Sequence, residues 1–209
     1  MVIDEETYKL PESNYYATEF NKRQIVLGNS FSDNHNHIKG WLKRMGGSYK
    51  KTSMFTIDRK GIIYKHFDPT KYSDFTNNKS VDKKIISITI ENQGWLQKDL
   101  LSDTYFDWVG NIYKRRIKVF EKRWRGFNYW DPYTRKQIKS CVELIDYLCG
   151  EYNIPKDCVA HNTYIDGVEF FEGVTYKSNF YKESTDLSPA WDYKKIKDKI
   201  ENKKYESTR

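Results

Sequence analysis

Four histidines and three cysteines are the side chains of this 209-residue chain best suited to metal or proton chemistry. His35-Asn36-His37 places two imidazoles two residues apart, a spacing that lets both meet one ion, although two ligands do not complete a tetrahedral site. The plainer reading is a pair of solvated loop histidines. His66 closes an apolar run and reads as a packed or surface residue. His161, with Asp166 and Glu169 close behind it, is the better candidate for a ligand or an acid/base group. Cys141, Cys149 and Cys158 are odd in number and lack CxxC spacing, so they read as buried thiols. A different chemistry is offered by residues 113–130, where bases alternate with rings. Lys122, Arg123, Trp124, Arg125 and Trp130 are its densest part. Such interleaving supplies phosphate contacts and stacking platforms for single-stranded nucleic acid. The plainer reading is an aromatic face packed on a sheet with its cations in water, and a protein interface is a third.

The elements that would position these groups follow from pattern. Hydrophobic residues make up 38% of the chain and aromatics 16%, enough for a core built largely on rings. A net charge of +7 favours acidic partners without choosing among nucleic acid, an anionic wall polymer or an acidic protein face. Residues 1–20 are acidic and hold no apolar run, and nowhere do about 20 apolar residues follow one another. The expectation is therefore synthesis in a cytoplasm without a signal peptide, and no membrane partner.

Residues 1–22 read as an extended arm. Gln24-Ile25-Val26-Leu27-Gly28 is a buried-type strand, and a short amphipathic helix is expected around Ile38, Trp41, Leu42 and Met45. Residues 53–58 and 62–67 flank Arg59-Lys60-Gly61 as a hairpin. Ile85 to Glu91 alternates branched apolar with polar residues, as a central strand does. The strongest helical signal runs from Thr134 to Tyr152, with Ile138, Cys141, Val142, Ile145, Leu148 and Cys149 on one face. Cys158 to His161 reads as a short strand, Ser188 to Asp192 opens a last helix, and residues 201–209 are expected to fray. The pattern predicts an α/β domain with a mixed central sheet flanked by helices.

Five segments resemble the zinc-dependent N-acetylmuramoyl-L-alanine amidases, a family that includes peptidoglycan-recognition proteins and amidase-type phage lysins. They are QIVLG, FTIDRKGIIY, ISITIENQGW, TRKQIKSCVELIDYLCGEYNIP and TDLSPAWDYKKI. The resemblance implies an amidase-like domain over residues 23–200, with an insert at about 107–130 of the kind seen in large tailed phages. It also implies zinc held by two histidines and an Asp or Cys, with a water in the fourth position.

Set against that expectation, the chain departs at most of the implied positions. After the first strand stand Gly28 and Asn29 in place of a ligand histidine, and Lys177 falls near the second. Asp186 is retained as the third. The general-base position falls near Thr89 and the transition-state lysine position on Ser184. The expectation is no catalytic residues and no cofactor. The chain would then be a degenerate amidase acting as a binding or structural component of a tailed-phage particle, its partners peptidoglycan or other virion proteins. The alternative is a working, endolysin-like amidase whose zinc site has moved to His161, Asp186 and one of His35 or His37.

Overall fold

The computed structural model describes residues 1–206. Its main sheet contains β1 (Ile3–Asp4), β2 (Gln24–Asn29), β3 (Phe55–Ile57), β4 (Ile63–Lys65), β5 (Ile85–Ile90) and β11 (Gly173–Tyr176), in the spatial order β1-β4-β3-β5-β2-β11. Only the β3–β4 hairpin is antiparallel, and every other pair runs parallel. β2 and β5 are buried at every position, which is why they carry Ile, Val and Leu on both faces. The helices are α1 (Asn36–Lys43), α2 (Lys79–Asp82), α3 (Arg135–Glu151), α4 (Lys177–Phe180) and α5 (Tyr193–Glu206). α3 packs against β3 and α5, burying Cys141, Val142, Leu144, Ile145, Leu148 and Cys149. Thr134 starts it with a capping box: its hydroxyl accepts from Gln137 N, and the Gln137 side chain accepts from Thr134 N. All three cysteines are free and buried.

Four expectations change on contact with the fold. The segment 1–22 is docked: β1 joins the sheet edge, Leu10 is buried, and Tyr15 stacks on Phe67 at 4.5 Å. α1 buries Ile38 and Trp41 but leaves Leu42 and Met45 exposed, at 42% and 74%. The helix stops at Lys43, so Met45 falls out of its register. Cys158 makes a single parallel bridge to Val174 where a strand was expected. α5 continues as helix to Glu206, within the segment 201–209 expected to fray, and residues 207–209 lie outside the described residues.

The insert is a second sheet. It comprises β6 (Trp95–Lys98), β7 (Tyr105–Phe106), β8 (Ile112–Tyr113), β9 (Lys118–Trp124) and β10 (Phe127–Trp130), ordered β8-β7-β6-β10-β9 and antiparallel throughout. It begins at Trp95, well before 107, because Trp95 and Leu96 pair with Trp130 and Tyr129. Residues 114–117 alone join its two outer strands, a reach of at most about 18 Å over five peptide steps, so the sheet curls. No helix among the described residues is long and apolar enough to cross a membrane.

Candidate functional site

Strand register builds the floor of a cleft. Tyr176 pairs with Leu27, so Lys177 comes next beside Gly28. Gly28 pairs with Thr89, Thr89 with Thr56, and Thr56 with Tyr64. Paired residues point to the same face, so Gly28, Thr89 and Thr56 form a row of small side chains across the centre of the sheet. Above them lies a cleft of about 350 Å³ lined by Asn29, His37, Trp41, Thr89, Trp108 and Lys177, among others.

At one end of the row stands an ion pair. Asp186 is buried, its Oδ1 accepts from Asn29 N, and its Oδ2 lies 3.8 Å from Lys177 Nζ. Burial pushes its carboxyl up to about 6, against the pull of Lys177 and the Asn29 hydrogen bond. The Lys177 ammonium also sits 4.5 Å from the Phe75 ring centroid. A Cβ on Gly28 would stand 3.5 Å from Asp186 Oδ2 and 3.1 Å from Lys177 Cδ, but only 2.7 Å from Phe75 Cζ. Positions 28, 177 and 186, distant in sequence, therefore converge. A side chain at 28 has no room unless Phe75 moves. Ser184 Oγ accepts from Asp186 N at 3.2 Å, holding the turn that delivers the carboxylate.

At the other end three histidines gather around Thr56. His66 Nδ1 lies 2.8 Å from the Tyr8 carbonyl, which only accepts, so Nδ1 carries the proton and Nε2 takes the Thr56 hydroxyl at 2.8 Å. Thr56 Oγ1 in turn accepts from His37 Nε2 at 3.2 Å, leaving His37 Nδ1 as the acceptor beside Ser32 Oγ. Burial holds His66 down at about 4 and His37 well below its ordinary value, so both are neutral at pH 7. His35 Nε2 is 3.7 Å from Asp58, and its backbone N–H donates to Glu91. Glu91, a buried carboxylate raised by desolvation, is a polar group the sequence reading passed over. The alternation of Ser87, Thr89 and Glu91 carried the signal.

The second sheet walls the cleft. Trp108 Nε1 donates to the Phe31 carbonyl at 2.6 Å, and Val109 and Asn111 join it along the rim. Arg125 reaches across to the Tyr181 carbonyl at 3.2 Å and lies 4.8 Å from the Trp124 ring. Lys122 and Arg123 are exposed. Trp130 is fully buried against Trp124 and Phe127, so it is a core residue and cannot meet a ligand. His161 is exposed, with Nδ1 bonded to Thr163 in its own loop. Among the described residues no group of three His, Cys, Asp or Glu side chains is placed to hold a metal ion.

Residues 14–173 match the family model described as N-acetylmuramoyl-L-alanine amidase. The chain belongs to this family. Solved structures share the fold at low identity. N-acetylmuramoyl-L-alanine amidase LysC from Clostridium intestinale URNW aligns at 15% identity over 96% of this chain and 98% of its own, with a TM-score of 0.56. A mutant endolysin from Bacillus subtilis gives 15%, 96%, 99% and 0.56, and the catalytic domain of XlyA 14%, 96%, 99% and 0.56. No curated protein sequence matches the chain. Within the amidase fold, the cleft over Gly28, Thr89 and Thr56 occupies the C-terminal ends of the parallel strands β2 and β5, where open α/β sheets take their ligands.

Proposed function

We propose that this amidase-family chain has lost its hydrolytic centre and keeps the cleft as a binding surface for peptidoglycan. The observation that carries the reading is the convergence of Gly28, Lys177 and Asp186. A catalytic zinc needs three protein ligands and an open position. These three positions offer a hydrogen atom, an ammonium and one carboxylate, and the ammonium already neutralises the carboxylate. The donor set does not fit zinc. Thr89 is not a base near neutral pH, and Ser184 is engaged in its own turn.

What remains suits recognition. The half-exposed Trp108, held by its indole N–H, offers a rigid ring, and Asn29, Asn36, Gln93 and Asn111 offer amides. Lys51 and Arg44 bring cations to a lining that also holds Asp33 and Asp107, and they are the groups suited to the carboxylates of a peptide stem. The solved structures of like fold include amidases and endolysins, which favours peptidoglycan as the ligand class. A place in a tailed-phage particle belongs to the same reading, with the second sheet and the docked N-terminal segment as assembly surfaces.

The rival reading is an active amidase with zinc on His161, Asp186 and His35 or His37. Against it stand the Thr163 bond that holds His161 in its loop and the Thr56 and Asp58 contacts that hold His37 and His35 at the far end of the row. Incubation with insoluble peptidoglycan, followed by sedimentation and assay of newly exposed amino groups, separates the two. Co-sedimentation without amine release is expected. Amine release abolished by Asp186→Ala overturns the proposal.

A further inference from the structure

We infer that the outer edge of the second sheet is a docking site for a phosphodiester-linked polyol polymer, of the anionic kind that cell walls carry. The choice of a wall polymer over other polyanions rests on the reading of the cleft as a peptidoglycan site. β9 is an outermost strand, with no neighbour on its far side among the described residues. Lys118, Lys122 and Arg123 on it, with Lys114 and Arg116 just before it, are all exposed, and none pairs with a carboxylate among the described residues. Glu121 is the sole acid from 114 to 130. Edge lysines also keep a strand from pairing with another chain. Lys118 and Lys122 meet that need by themselves, while Arg123 Nε donates to Asn128 Oδ1 at 3.2 Å, so the charge of Lys114, Arg116 and Arg123 exceeds what edge protection requires.

Such a row attracts phosphates, and the surrounding rings decide which phosphates. Single-stranded nucleic acid needs open aromatic platforms on which its bases stack. Here Trp95 stacks on Phe127 at 4.2 Å, Trp124 meets Trp130 at 5.4 Å and carries Arg125, and Lys118 sits 5.7 Å from the Phe120 ring. The rings face one another or their own cations. The edge thus offers charge without stacking, which suits a chain of phosphates with no bases. The edge belongs to the sheet whose β7–β8 loop supplies Trp108 to the cleft rim, and its β9–β10 turn sends Arg125 to the Tyr181 carbonyl, close in sequence to Lys177 and Asp186.

The test compares the full chain with the triple variant Lys118→Gln, Lys122→Gln, Arg123→Gln, all exposed positions. Binding to poly(glycerol phosphate), to a single-stranded and a double-stranded oligonucleotide of equal phosphate number, and to phosphate-stripped peptidoglycan is measured across a salt series. The polyol phosphate is expected to bind most tightly. The variant is expected to lose about tenfold or more of that affinity at low salt, with a log–log salt slope shallower by about 2, and to keep its binding to stripped peptidoglycan. Equal affinity in variant and parent, absence of polymer binding, or preference for either oligonucleotide overturns the inference. Polymer binding without binding to stripped peptidoglycan would instead remove the cleft reading and leave the edge standing. Aggregation of the variant with polymer affinity intact would assign the lysines to edge protection alone and overturn it too.

Discussion

Asp186 shows how one substitution changes the meaning of another. A carboxylate at the end of a parallel strand row is a metal ligand when imidazoles flank it, and half of an ion pair when its neighbours are Gly28 and Lys177. Its folded value of about 6 stands above the ordinary 3.8, so the stability it contributes is complete below about 3.8 and is lost as pH rises through 6. Lys177 opposes that loss by favouring the charged form. The variant Lys177→Met is therefore expected to move the Asp186 titration above 6, read by carboxyl NMR, and to lose more stability between pH 5 and pH 8 than the parent does. An unmoved titration would mean that Lys177 does not act on the carboxylate. His37 and His66, held below the ordinary 6.5 by burial, act with the opposite sign: stability they cost at low pH is recovered as pH rises toward 6.5, equally in parent and variant.

Among the elements, α3 carries a long buried face that packs against β3 and α5. Its start is fixed by Thr134, whose hydroxyl caps Gln137 N and also donates to the Arg59 carbonyl at 3.0 Å, tying helix to hairpin. Thr134→Ala is expected to cost about 1 kcal/mol or more in urea denaturation, with the cleft unchanged. A loss near zero would mean that the cap is replaced by water. This helix, β2, β5 and the hairpin were legible in the sequence because each carries a strong local period. Position 186 was legible through the resemblance. The grouping of His35, His37 and His66 was not, because it exists only once the start of α1 and the hairpin pack around Thr56. Nor was the start of the second sheet. Trp95 to Lys98 is too short to show a period, and its partner Trp130 lies a whole excursion away. Trp130 itself, read as a binding ring, is a core residue because the curl of that sheet encloses it.

Across the whole molecule, the two sheets divide the work. The main sheet brings positions 28, 89, 177 and 186 into one cleft, and the second sheet walls that cleft with Trp108 and turns a cationic edge outward. The floor of the cleft lies on strands buried in the core, and the edge on β9, which pairs with β10. The most direct test is the zinc content of untagged protein after dialysis against zinc-containing and then zinc-free buffer, by elemental analysis. Well under one zinc per chain is predicted. About one zinc per chain, lost in Asp186→Ala, would contradict the account and restore the chain to the working amidases.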